Sequence, residues 1–289
     1  KVYNAASQKA GAGVQGHIFA LSVKHFVKWS KDEQSGHGHS FIDRMAHSFF
    51  MATVGKSIRS ALGPNLKWLA CGGAPLNVDL AHFFNGMDDI TFIQGYGMTE
   101  TAAPFAATRV TDNVIGTVGQ PAPGSSIRIS DEGELQVKGP NVFRGYHNLP
   151  EKTAEAFTAD GWLRTGDLAE IDDEGRIIIT GRIKDIIITA GGKNISPAPM
   201  EDVIDTCPIV AHAVVVGDGK PFVSALIELD PEMLHSWLEG QGLDPDMSLA
   251  EASGNDAVRA FVQQYIDQAN ANVSRAESVR KFAILDEEF

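Results

Sequence analysis

Cysteine is nearly absent. Cys71 and Cys207 are the two in 289 residues. They give no disulfide framework and no metal-ligand spacing, which speaks against a disulfide-stapled fold or a structural zinc site and suits a reducing compartment. Long apolar runs are missing too. None approaches the roughly 18–20 residues of a membrane span, and the first residues carry no signal-peptide pattern. The expected location is cytoplasmic, with peripheral membrane association left open, although no basic amphipathic helix supports it. Basic residues are scarce: Lys plus Arg is 24 against 37 Asp plus Glu, a formal net charge of −13. Phosphate backbones are bound by clustered cations, so nucleic acid is excluded as a partner. The scarcity is uneven. Residues 1–184 hold 18 basic and 19 acidic residues, whereas residues 185–289 hold 6 and 18. That step marks a boundary near residue 184.

What is present is ordinary for a globular chain, with 43% hydrophobic and 21% charged residues. The length allows about two domains. Helical periodicity runs through 17–29 and 41–62, the second stretch ended by Gly63-Pro64. His37 and His39 lie between them in a polar stretch with no acidic or Cys partner at ligand spacing, and a solvated loop is expected there. From Lys67 short apolar runs alternate with a helix over 78–84, predicting an α/β layer with a parallel sheet. From about 113 to 180, acidic turns ending in Gly133 and Gly175 separate short apolar runs. They predict an antiparallel barrel or sandwich, with a short helix after Pro150. Beyond Lys184 the pattern predicts a strand over 185–189, helices over 199–205, 231–239 and 256–280, and strands over 211–216, 222–229 and 282–285, a small α+β domain.

Three stretches carry chemistry. Gln94-Gly95-Tyr96-Gly97-Met98-Thr99-Glu100 follows a buried strand. Glycines beside an aromatic let a planar group lie on the ring, and Thr99 and Glu100 sit at a strand's C-terminal mouth, where α/β sheets bind ligands. A carboxylate beside phosphates implies a divalent cation. The alternative is a polar turn. Asp167, in Trp162–Asp167, opens a strand and could accept from two adjacent hydroxyls, or simply from backbone donors. Arg182 and Lys184 fall on one face of an extended segment and suit a phosphate or sugar edge, or a solvated hinge.

Taken in order, Gly72–Pro75, Tyr96–Glu100, Trp162–Asp167 and Gly181–Pro197 resemble the AMP-forming acyl-CoA synthetases of the adenylate-forming superfamily. Gly191-Gly192-Lys193-Asn194-Ile195-Ser196-Pro197 and the helical opening are most similar to the long-chain fatty acid branch. The resemblance implies the C-terminal portion of a large nucleotide-binding domain over 1–183 and a small mobile domain over 184–289. It implies a two-step reaction on a fatty acid with ATP, Mg²⁺ and coenzyme A. Gly73, Ala74 and Pro75 would line an adenine pocket with Gln94, Gly95 and Gly97, and Tyr96 would stack on the base. Thr99 would meet the α-phosphate and Glu100 would hold the metal. Asp167 would take the ribose hydroxyls with Arg182, and Lys184 would sit at the hinge and reach the nucleotide. Gly191, Gly192 and Lys193 would face the coenzyme A thiol. Two further elements are implied outside residues 1–289: a phosphate loop ending in Pro-Lys-Gly, and a catalytic lysine after the last strand. The expectation is about half of a synthetase, making little acyl-adenylate by itself. Activation of another acyl or aryl acid, and a non-catalytic nucleotide- or acyl-CoA-binding module, are the alternatives.

Overall fold

The computed structural model describes residues 3, 6, 11, 13–63, 65–73 and 77–287. Cα proximity divides the chain into two compact units, Ser22–Lys184 and Asp185–Phe289, the latter joined by residues up to Leu21.

The first unit opens on helices. α1 spans Val14–Gln34, its part from Ser22 on belonging to this unit, and α2 spans Phe41–Phe50. Ser40 caps α2 in a reciprocal box with Asp43, satisfying two backbone N–H groups that the first turn leaves without partners. The helix expected over 41–62 contains a π turn, Met51–Gly55, before α3, Lys56–Leu62. Gly55 is buried there, and a Cβ on it would lie 2.7 Å from Met51 Sδ. The stretch around His39 is not simply solvated. His39 stacks on Trp29 with ring centroids 3.4 Å apart, and its side chain is 10% exposed. His47 stacks against Trp29 too, at 3.9 Å.

β1 (Trp68–Gly72), α4 (Val78–Asn85) and β2 (Thr91–Met98) form one crossover, so β1 and β2 pair in parallel. Asn77 caps α4 by accepting from the Leu80 N–H. β3 (Ala103–Ala107) follows β2 after one tight turn, too short for a crossover, and therefore adds antiparallel; β4 (Gln120–Pro121) extends the sheet the same way. The antiparallel layer expected over 113–180 is a meander of β5 (Ser126–Ile129), β6 (Glu134–Lys138), β7 (Leu163–Ile171) and β8 (Ile177–Arg182), with α5 (Pro150–Ala156) inserted between β6 and β7. The two sheets meet at one corner. Val118 and Gly119 hydrogen-bond to Ile177 of β8, and the next residues form β4 against β3. Phe105, Leu135, Val137, Leu163 and Ile177 are fully buried in a core shared by both sheets, with Tyr96 and Met98 packed against it. Burying each such side chain contributes roughly 1.5–3 kcal/mol.

The second unit holds the short hairpin β9 (Ile187–Ile188) and β10 (Asn194–Ile195), α6 (Ala198–Ile204), β11 (Val210–Val216), β12 (Ser224–Leu229), α7 (Pro231–Gln241), α8 (Leu249–Gly254), α9 (Asp256–Ala271) and β13 (Lys281–Ile284). β11, β12 and β13 form one sheet in that order. Val258, Val262, Ile266 and Ala269, at helical spacing, seat α9 on the core. The helix expected over 256–280 ends at Ala271, because the Asn270 side chain exchanges two hydrogen bonds with Val279 and turns the chain into β13. The strand expected over 185–189 is a 3₁₀ turn, Ile183–Asp185, followed by the two residues of β9. No helix among the described residues is long and apolar enough to cross a membrane.

Candidate nucleotide site

β2 does not end before the glycine-rich motif; it runs through Met98. The reason is the neighbouring backbone. A Cβ on Gly97 would lie 2.3 Å from the Ala103 carbonyl oxygen, so Gly97 is what lets β3 approach. Gly72 opposes Gly95 across the parallel pair, and its Cβ would lie 2.8 Å from the Gly95 oxygen. A Cβ on Gly95 would meet nothing closer than the Ala106 carbonyl oxygen at 3.6 Å. Gln94 is held by Thr108, donating its N–H to the Thr108 hydroxyl and accepting the Thr108 N–H on its carbonyl. Gly73 takes φ +86° with open space at its Cβ position, which suits a loop bordering a ligand. Ala74 and Pro75 lie outside the described residues.

At the end of β2 the chain makes a 3₁₀ turn, Thr99–Thr101. Thr101 is buried and holds the turn, accepting from the Met98 N–H at 3.0 Å and donating to the Met98 and Ala103 carbonyls. The two residues after it, Ala102 and Ala103, take φ +54° and +80°, a left-handed geometry unfavourable for alanine. Beside this strained corner Thr99 is exposed and Glu100 half-buried. Tyr146 donates its hydroxyl to Glu100 Oε1 at 2.7 Å, and that bond raises the Tyr146 pKa. The Phe143 N–H binds the Glu100 carbonyl at 2.8 Å.

Asp167 lies in the middle of β7, with Leu163 four residues before it on the same strand. It is directly opposite Arg182 in β8. Its side chain is 7% exposed. Tyr96 donates its hydroxyl to Oδ2 at 2.5 Å, and Arg182 Nε donates to Oδ1 at 2.9 Å. Burial and the bond to Asp167 push the Tyr96 phenol far above its ordinary range, so it remains a donor. The Arg182 side chain is 66% exposed. Thr165 donates its hydroxyl to the Leu135 carbonyl and accepts the Asp167 N–H. Buried Glu134 accepts the Gly166 N–H at 3.1 Å and pairs with Arg164 at 3.3 Å. The fold thus gathers Tyr96, Asp167 and Arg182 from two sheets of one unit. Lys184 is exposed in the following 3₁₀ turn. The period-two alternation expected to align it with Arg182 therefore stops at β8.

The loop holding Gly191, Gly192 and Lys193 belongs to the second unit, between β9 and β10. Thr189 closes it, donating its N–H to the Lys193 carbonyl and accepting the Gly192 N–H on its own. Lys193 Nζ is 3.2 Å from Glu277. Sequence reasoning missed Tyr146 and Glu134. Neither stands in a patterned motif, and each matters only through a partner more than 30 residues away or one set by strand register.

No group of three or more His, Cys, Asp and Glu able to cage a metal occurs among the described residues. Glu100 offers one part-exposed carboxylate beside a hydroxyl. That donor set fits Mg²⁺ shared with nucleotide phosphates, since Mg²⁺ is commonly bound by one or two carboxylates, waters and phosphate oxygens.

Residues 23–147 match the family model described as AMP-binding enzyme, and residues 184–288 the model described as AMP-binding enzyme C-terminal domain. The chain is 44% identical over all 289 residues to the long-chain-fatty-acid–CoA ligase FadD15 of Mycobacterium bovis and of Mycobacterium tuberculosis, covering 100% of this chain and 48% of each relative. It therefore spans about half the length of the curated relatives it matches. ATP-bound MatB from Rhodopseudomonas palustris is 29% identical with a TM-score of 0.57, over 80% of this chain and 46% of MatB. The o-succinylbenzoate coenzyme A synthetase MenE from Bacillus subtilis, in complex with AMP, is 25% identical with a TM-score of 0.58, over 83% of this chain and 50% of that one.

Proposed function

This chain belongs to the AMP-binding enzyme family, and from that premise we propose that it serves a ligase joining long-chain fatty acids to coenzyme A. The observation that carries the reading is the buried Asp167 carboxylate, flanked by an aromatic ring and a guanidinium at the edge of a two-sheet unit. A carboxylate so placed suits a vicinal diol, and the adjacent ring suits a purine. The ATP bound to MatB and the AMP bound to MenE support an adenine nucleotide as the ligand.

In the proposed reaction a fatty acid carboxylate oxygen attacks the α-phosphorus of ATP, and pyrophosphate leaves with the bridging oxygen. The coenzyme A thiolate then attacks the acyl carbon, the bond to the phosphate oxygen breaks, and AMP leaves. Asp167 and Arg182 would hold the ribose, Tyr96 the adenine, and Gly73, Ala74, Pro75, Gln94, Gly95 and Gly97 the rim of the base pocket. The Thr99 hydroxyl would bind the α-phosphate through the attack. Glu100 would hold Mg²⁺, which supplies charge neutralisation on the phosphates. Ser22–Lys184 would be part of the large nucleotide-binding domain and the unit after Lys184 the small domain, bringing Gly191, Gly192 and Lys193 to the thiol.

The test is product formation by the protein expressed as its gene encodes it, with ATP, coenzyme A and acids of increasing chain length. AMP and acyl-CoA are expected in equal amounts, with the highest kcat/KM among the long chains. Glu100→Gln should lower kcat by about a hundredfold. Absence of AMP release with every acid, or a preference for aryl acids, would refute the assignment.

A further inference from the structure

Asp167 has two oxygens, and each accepts one protein donor: the Tyr96 hydroxyl at Oδ2 and Arg182 Nε at Oδ1. An ionised carboxylate offers about four lone-pair sites. Among the described residues these two donors, one per oxygen, leave one site free on each. They also fix the plane of the group, because rotating it would break both bonds. The donors come from different sheets, Tyr96 from β2 and Arg182 from β8. The Tyr96 ring is packed against the shared core, so its hydroxyl has little freedom to move. Arg182, by contrast, is largely exposed and can swing into solvent.

We propose that the Tyr96 hydroxyl is the positioning group of the ribose subsite, aiming the two free lone pairs of Asp167 at the 2′- and 3′-hydroxyls of a bound nucleotide. The proposal rests on the nucleotide reading above. It gives Tyr96 a second role, separable from any stacking by its ring: the phenol sets sugar selectivity, and the ring face takes the base. A specific consequence follows. Loss of the hydroxyl weakens recognition of the diol and leaves recognition of the base intact.

The experiment is a cycle of protein and ligand. Wild type and Tyr96→Phe, each expressed as the gene encodes it, are titrated calorimetrically with AMP and with 2′,3′-dideoxy-AMP. Wild type should favour AMP. Tyr96→Phe keeps the ring and should cut the AMP-to-dideoxy preference by about fivefold, chiefly by weakening AMP. A structural defect alone would weaken both ligands equally and leave the ratio unchanged, which overturns the proposal. A ratio that rises overturns it too, since it would mean that the phenol competes with the ribose for Asp167. If wild type fails to bind AMP, or fails to distinguish the two ligands, the underlying reading of Asp167 falls, and the proposal with it. Discrimination that is present in wild type and fully retained in Tyr96→Phe sinks the role of the phenol alone.

Discussion

Acid should weaken the first unit through a single buried histidine. His82, on α4, is 3% exposed. Its Nδ1 meets the Ser30 hydroxyl at 2.9 Å, and Asn85 donates to the same hydroxyl at 3.2 Å, so the ring ties α4 to α1. Burial pushes the His82 pKa down to about 4; the nearby Lys31 adds to the effect and Asp79 opposes it. The unfolded chain has an ordinary value near 6.5. Between those values the unfolded state holds a proton that the folded state refuses, so stability falls as pH falls. The effect is absent above about pH 6.5 and complete below about pH 4. A shift of this size corresponds to about 3 kcal/mol at 1.36 kcal/mol per unit, a large share of the roughly 5–15 kcal/mol that holds a typical domain together. Other groups titrate in the same window. His25 is shifted in the same direction by burial. Asp205 in the second unit, raised to about 6 by desolvation, acts with the opposite sign. The measurement is therefore a difference. Urea unfolding of wild type and His82→Gln is followed at pH 7.5, 6, 5 and 4. Gln retains a polar partner for Ser30 and has no titrating ring. The gap between the two curves should close by about 3 kcal/mol from pH 7.5 to pH 4. A gap independent of pH would refute the burial argument.

Asp167→Ala removes the acceptor for two hydroxyls. It should weaken AMP by about 1.5–3 kcal/mol in calorimetry, the worth of hydrogen bonds to a charged group; affinity within twofold of wild type would remove Asp167 from the site. Gly97→Ala drives a Cβ to 2.3 Å from the Ala103 oxygen and 2.9 Å from the Pro104 Cα, both backbone atoms that cannot swing aside. It should cost about 3 kcal/mol or more and lower Tm, since overpacking against backbone exceeds the usual 1–3 kcal/mol. An unchanged melting curve would contradict the close β2–β3 approach.

Much of the fold was legible because its causes are local. The acidic turn at Ser130–Gly133 closes the hairpin of β5 and β6 through bonds within five residues. The Asn77 cap and the Ser40–Asp43 box start helices by the same short-range logic. α8 carries the same local signal, for Ser248 and Glu251 form a capping box. The end of α9 does not. Asn270 leaves the helical pattern to bind Val279, and nothing in a helical period announces a bond made nine residues ahead.

The candidate site divides along the same line. Residue types and their order were enough to single out Tyr96, Glu100, Asp167 and Arg182 and to recognise the family, because a motif is a statement about neighbours in the chain. How those side chains meet was not in the string. Tyr96 and Asp167 stand 71 positions apart and share a hydrogen bond only because β2 and β7 belong to sheets that join at the Val118–Pro121 corner. Tyr146 reaches Glu100 across 46 positions by the same kind of folding. Gly97, legible as a glycine that admits a ligand, is required in the fold by the backbone of β3. Hydrogen bonds and steric limits act over about three ångströms, whatever the separation along the chain. The sequence alone therefore determined which chemical groups this protein carries, and the packing of its two sheets decided which of them touch.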